Sequence, residues 1–292
     1  MSLGYYRFIK GRLVVRPRQS PDGDSMRFIA DNMALFEGLP NYKPARVSGG
    51  EASYQLRFQA IDTPELHYGP AKQPYGMTSR DMLLHWLGVD SSSWNWEKAP
   101  AGFSWEHEAA ILCDSFEGYG RPIAFVLKGL DAEDGADVKL SKAVLEKTYN
   151  YHAARTGSTY LGLYSGGLSA DIRAELVAAY RTARSEQAGL WALDQTSAFT
   201  ATRLEHISPE QGSLVYPKIF RRCVDALKWA GGEFRQGRDL DDFLKAHPHE
   251  NDQIIVCCDG GQLKVRLSDV IEQVNNQISI AVDLNTVTFV SK

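Results

Sequence analysis

Residues 54–61 read Tyr-Gln-Leu-Arg-Phe-Gln-Ala-Ile, and no other stretch constrains the fold as tightly. Side chains alternate along a strand, so Tyr54, Leu56, Phe58 and Ala60 share one face while Gln55, Arg57, Gln59 and Ile61 share the other. The pattern predicts a half-buried strand with an arginine on its second face. Asp62-Thr63-Pro64-Glu65 follows at once. Thr63 suits a helix N-cap, Pro64 the first helical position and Glu65 the first turn. Two carboxylates three residues apart, Asp62 and Glu65, thus stand at the exit of the strand that carries Arg57.

Short strands and turns surround this segment. Leu13-Val14-Val15, Pro21-Asp22-Gly23-Asp24 and Met26-Arg27-Phe28-Ile29 spell strand, Asp-Gly turn and strand, a hairpin signal. Residues 33–53, with Pro40, Pro44, Gly49 and Gly50, are expected to form a long loop. The spacing of Met77, Met82, Leu83, Trp86 and Leu87 predicts an amphipathic helix over 75–87. Residues 90–107, with Trp94, Trp96 and Trp105, read as an irregular aromatic insertion. Strands are expected at 109–113 and 122–127, about the turn Glu117-Gly118-Tyr119-Gly120. Helical patterning runs over 139–155 and 169–187, and Gly189-Leu190-Trp191 closes the second helix. A boundary is expected at Gln195-Thr196-Ser197, giving a domain of 1–194 and a smaller α+β domain of 195–292. The latter reads as helices at 217–229 and 240–246, then strands near 253–258, 263–267 and 278–290.

Composition sets outer limits. The 292 residues, 43% hydrophobic and 23% charged, exclude a wholly disordered or collagen-like chain and leave room for two cores. No apolar run reaches the about 18 residues of a membrane span, so no membrane partner is expected. The net charge of −4 speaks against a polyanion-coating protein. The first thirty residues nevertheless hold Arg7, Lys10, Arg12, Arg16, Arg18 and Arg27 against only Asp22 and Asp24. Four cysteines without a CxxC pair read as free, buried thiols, which fits a reducing cytoplasm. The opening Met-Ser-Leu-Gly-Tyr-Tyr-Arg lacks a signal peptide's apolar stretch.

Taken singly, the polar motifs have ordinary readings. Asp22-Gly23-Asp24-Ser25 suits a tight turn, and Arg57 and Arg121 suit a solvated strand face and a strand entry. Together they are the parts for cleaving a phosphodiester. Oxygen ligands can hold a Ca²⁺ that polarises the phosphate, two guanidiniums can clamp its oxygens, and a carboxylate can act on the attacking water.

Three blocks carry a family resemblance: Pro21-Asp22-Gly23-Asp24-Ser25, the run from Leu56-Arg57 through Asp62-Thr63-Pro64-Glu65, and Tyr119-Gly120-Arg121 leading into a strand. In order and local spacing this resembles the staphylococcal nuclease (thermonuclease) family, over residues of about 10–192. The resemblance implies a five-stranded OB-fold barrel with helices, hence an α+β class. It implies Asp24 and Asp62 as calcium ligands with the Thr63 carbonyl, Glu65 as the group acting on water, and Arg57 and Arg121 as phosphate clamps. Tyr119, Tyr160 and Tyr164 are the candidates for nucleotide contact. The implied reaction is Ca²⁺-dependent hydrolysis of DNA or RNA, single strands foremost, leaving 3′-phosphates. Ser25 stands where the family has threonine. The other reading is a catalytically silent module on the same barrel that binds nucleic acid or protein.

Residues 195–292 resemble nothing in particular. His247-Pro248-His249-Glu250 reads as a turn rather than a metal site. Lys218, Arg221 and Arg222, beside Lys228 and Trp229, read as a solvated helix face or a nucleic-acid contact.

Overall fold

The computed structural model describes residues 4–48, 50–89, 96–209, 211–258 and 261–290. In chain order it opens with β1 (Tyr5–Val15), β2 (Arg27–Ala30), β3 (Arg46–Ser48), β4 (Glu51–Gln55), β5 (Arg57–Phe58), β6 (Ala60–Asp62) and helix α1 (Gly76–Trp86). Next come β7 (Trp105–Phe116), β8 (Pro122–Leu127), β9 (Asp137–Lys139), α2 (Lys142–Leu145), α3 (Tyr149–Thr156), β10 (Tyr160–Gly162) and α4 (Ala170–Ser185). The remainder holds β11 (Ala198–Thr200), α5 (Pro217–Ala230), α6 (Leu240–Ala246), β12 (Gln253–Cys258), β13 (Gly261–Arg266), β14 (Ile271–Val274), β15 (Gln277–Ile280) and β16 (Thr288–Phe289).

The main sheet runs β3-β4-β2-β1-β7-β8-β5, with β9 also on β1. Strand β5 ends this path and β4 is next to last at its other end, yet only Leu56 separates them in the chain. The sheet must therefore curl until its edges nearly meet, giving a half-barrel within a mixed α+β fold. Backbone bonds mark the meeting point. The Leu56 N–H donates to the Met26 carbonyl at 2.9 Å, Phe58 to Asp24 at 2.9 Å and Gln59 to Ala124 at 2.8 Å. This curl is why the expected strand over 54–61 is in fact three short strands. Ala60 takes a left-handed φ of 66°, so strict alternation fails and Ala60, Ile61 and Asp62 are all buried.

Inside the curl lie Ile9, Leu13, Phe28, Tyr54, Leu56, Phe58, Ile111 and Val126, capped by Leu83, Leu84 and Tyr149 from α1 and α3. The opposite faces of β1, β7 and β8 (Tyr6, Phe8, Leu112, Phe125) join a second core with Ile172, Leu176 and Tyr180 of α4. Without interruption that core takes in Tyr216, Ile219, Phe220, Ile254 and Phe289. The position expected to divide two domains therefore lies along one continuous apolar core. Two three-stranded sheets, β11-β15-β14 and β13-β12-β16, complete this part.

Several local expectations are corrected. The region 33–53 is not one loop: it holds a 3-10 turn (Met33–Phe36) whose Phe36 is fully buried, then β3 and the start of β4. Trp105 opens β7, and Trp96 packs on Phe103 at 4.9 Å, whereas Trp94 lies outside the described residues. The helix expected over 139–155 is split into α2 and α3, with Thr148 capping α3. Cys113 and Cys223 are buried, but Cys257 and Cys258 are exposed. Among the described residues no helix is long and apolar enough to cross a membrane.

Candidate functional site

The turn at 22–25 links β1 to β2 and is stitched to the segment that follows β6. The Asp22 N–H donates to the Ser25 carbonyl at 3.2 Å, and Asp24 Oδ2 accepts from the Thr63 N–H at 3.4 Å. Gly23 is required by close approach: a Cβ there would stand 2.9 Å from Thr63 Cγ2 and 3.0 Å from Ser79 Cβ. Asp62 ends β6, its N–H donating to Thr159 Oγ1 at 3.2 Å. Glu65 does not open a helix, since α1 starts only at Gly76. Instead Gln73 clamps the Glu65 backbone, accepting from its N–H at 3.0 Å and donating to its carbonyl at 2.8 Å.

These elements gather Asp22, Asp24, Asp62 and Glu65 into one interacting set. The sequence reading missed a fifth member. Arg221 of α5 points into the set: Nη2 is 2.9 Å from Asp62 Oδ2, Nη1 is 3.3 Å from Asp62 Oδ1, and Nη1 also pairs with Glu65 Oε1. Arg57 lies close by but is engaged differently. Its guanidinium stands 5.7 Å from the ring centre of Tyr164, and among the described residues no hydrogen bond or ion pair occupies it. Lys218 approaches the same ring at 5.4 Å and Phe289 at 4.6 Å.

Charge crowding governs the titration of this set. Burial, then the charges of Asp24 and Glu65, push Asp22 well above the usual carboxylate range. Burial also raises Asp24, with Arg57 opposing it and Asp62 adding to it. Glu65 is pushed up to about 7 by burial, against the pull of Arg221, with Asp62 and Asp24 raising it further. Asp62 moves the other way: burial would raise it, but Arg221 and Arg57 outweigh burial and hold it below its ordinary value. Four carboxylates face two guanidiniums, and this surplus of negative charge adds to burial in favouring the protonated forms of Asp22, Asp24 and Glu65.

The donor chemistry suits a hard divalent cation. Asp24 and Asp62 offer carboxylate oxygens, and among the described residues the buried Thr63 hydroxyl has no hydrogen-bond partner. A ready-made cage is absent, because among the described residues no three His, Cys, Asp or Glu side chains come together as metal ligands. Arg221 holds both oxygens of Asp62 instead.

The other expected residues lie apart from this set. Arg121 precedes β8 and pairs with Glu117, through Nε and through Nη2 at 3.0 Å. Tyr119 is 88% exposed at its turn. Tyr160 is fully buried, its hydroxyl donating to Asp194 Oδ1 at 2.8 Å, so a contact with substrate is corrected to a core role. Tyr164 does border the site, between Arg57 and Lys218. The basic group on α5 is corrected too. Arg222 pairs with Asp252 at 2.7 Å and Glu250 at 2.5 Å, and Lys218 with Asp252 at 3.5 Å, so none of the three is a solvated face. His247 stacks on Phe243 at 4.4 Å, within a turn. The available signal for Arg221 was a group of three cations, Lys218, Arg221 and Arg222, interleaved with the apolar Ile219, Phe220 and Cys223, since buried cations demand partners.

Compared with protein-family models and with curated proteins, the chain matches none significantly. The likeness to the staphylococcal nuclease family therefore rests on the three sequence blocks alone.

Proposed function

We propose that this chain hydrolyses phosphodiester bonds of DNA or RNA at the cluster of Asp24, Arg57, Asp62 and Glu65. The curled sheet then serves as a five-stranded OB-fold barrel of the staphylococcal nuclease kind. One observation carries the reading: Arg57 presents a half-buried guanidinium with no ion pair among the described residues, beside Asp62 of its own sequence block and Asp24 of the block before it. A buried cation left open in this way is suited to an anion, and a phosphate takes a guanidinium in bidentate fashion.

The roles follow from the chemistry of each group. Arg57 binds the phosphate and stabilises the charge that builds on its oxygens. Glu65, raised to about 7, suits the exchange of a proton with the attacking water. Asp24 and Asp62, with the Thr63 carbonyl, would hold a Ca²⁺. When bound, such an ion supplies Lewis-acid polarisation of the phosphate. Arg121 becomes a second clamp by leaving Glu117, and Tyr164 and the exposed Tyr119 supply ring faces for bases of a single strand. A reducing, cytoplasmic setting belongs to the same reading, supported by the exposed free thiols of Cys257 and Cys258.

The test is end-group analysis of labelled single-stranded DNA and RNA incubated with the protein and CaCl₂. Products ending in 3′-phosphate, lost on chelation and in Arg57→Ala, support the reading. Retention of the oligonucleotide with no cleavage in any divalent metal would establish the silent binding module instead.

A further inference from the structure

Helix α5 carries three cations towards the rest of the molecule, and one of them is spent unlike the others. Lys218 and Arg222 are matched by Asp252 and Glu250, from the same part of the chain. Arg221 instead reaches residues more than 150 positions away, Asp62 and Glu65. Its fork takes both oxygens of Asp62 and one of Glu65, leaving Asp62 no oxygen without a guanidinium contact. Asp22 and Asp24 make no ion pair among the described residues, and the Thr63 hydroxyl beside them is buried and unpartnered. Direct ion pairing therefore reaches only Asp62 and Glu65 of the acidic set, and it comes from α5.

A divalent cation held by Asp24 and Asp62 needs at least one Asp62 oxygen, and it repels a guanidinium already bound there. The two cations compete for one ligand. We propose that Arg221 is the resident counter-ion of this site, which a divalent cation must displace from Asp62 in order to bind. Arg221 is thus a positioning residue, setting both the metal affinity of the site and the freedom of Glu65. The segment after residue 195 acquires a role: α5 delivers the counter-ion, and metal binding loosens its hold on the barrel. The proposal rests on the phosphodiesterase reading in taking Asp24 and Asp62 as cation ligands.

The test is calorimetric titration of the full chain with CaCl₂ alone, for wild type, Arg221→Gln and Arg221→Lys, each checked for folding by circular dichroism. Removing an opposing ligand of this kind changes affinity about 5- to 150-fold. Arg221→Gln should bind Ca²⁺ tighter than wild type by a factor in that range. Arg221→Lys, which keeps the charge but cannot span both carboxylates, should fall between. A wild-type readout needs no variant: the Arg221 Nε–H correlation in a ¹⁵N–¹H spectrum should shift as Ca²⁺ saturates the protein. Equal or weaker binding by both variants, or an unmoved Arg221 signal at saturation, overturns the proposal. If that happens while wild type still cleaves DNA in Ca²⁺, only the counter-ion idea falls. Tighter binding by Arg221→Gln with no cleavage by any form sinks the nuclease reading and leaves the counter-ion standing. No binding by any of the three sinks both.

Discussion

At the scale of single residues, Arg57 and Asp62 have opposite relations to their surroundings. Asp62 is 2% exposed and doubly bonded to Arg221, while Arg57 has no hydrogen bond among the described residues and lies over the Tyr164 ring. Arg57→Ala is expected to lower turnover about 100- to 1,000-fold, the usual cost of removing a donor to developing charge. Arg57→Lys should recover only part, since an ammonium lacks the bidentate fork; steady-state kinetics on a labelled oligonucleotide measures both. His152 offers a test away from the site. Burial first, then the positive charge of Lys128 and the neighbouring His85, hold its imidazole below the ordinary value of 6.5. The unfolded chain then binds the proton more readily than the folded one. Stability from this residue is complete above pH 6.5 and is lost as pH falls from there towards the folded value. Urea unfolding should show stability declining in that window, with a shallower decline in His152→Gln.

At the scale of elements, two close approaches shape the site. A Cβ on Gly11 would stand 2.1 Å from the Ile29 carbonyl oxygen, where β1 crosses its partner β2. Gly11→Ala should cost at least about 1–3 kcal/mol, read from the urea midpoint. Gly23→Ala meets Thr63 and Ser79 instead, and should move the Asp22–Asp24 turn away from Thr63. Turnover is expected to fall at least about tenfold with little loss of secondary structure, as for other small displacements of catalytic groups. Element types were largely legible in the sequence, because hairpin 13–29, helices α1, α4, α5 and α6 and strand β8 each follow a local rule. The segment 54–61 was not, because its breaks at Leu56 and Gln59 answer to the closing of the sheet and not to side-chain alternation. Asp24, Asp62 and Glu65 could be singled out because each lies in a short motif. Arg221 stood out only as one of a basic group, and its role in this cluster was not legible, since its partners come from over 150 residues away. Tyr160 was misjudged because sequence spacing gives the face of a ring but not the Asp194 that receives its hydroxyl.

At the scale of the whole molecule, the apolar core that includes Tyr6, Leu112 and Tyr180 also includes Tyr216, Ile219 and Phe289. Tyr216 fixes this join, its hydroxyl donating to the Leu161 carbonyl at 2.6 Å beside β6. Ending the chain after Asp194 would strip that face of its cover. The truncated protein is expected to aggregate or to show lost near-UV dichroism, and a well-folded monomer would contradict the single-core description. The same join explains how a cation on α5 comes to stand among carboxylates at the curled sheet. The central claim, that this cluster cleaves phosphodiesters, is tested most directly by one comparison. Single-stranded DNA and RNA turnover is measured for wild type and Glu65→Gln, with Ca²⁺ and with a chelator. The expected result is cleavage by wild type in Ca²⁺, lost with chelator and reduced at least about 100-fold in Glu65→Gln. Equal cleavage by the two proteins, or cleavage indifferent to the chelator, would contradict it.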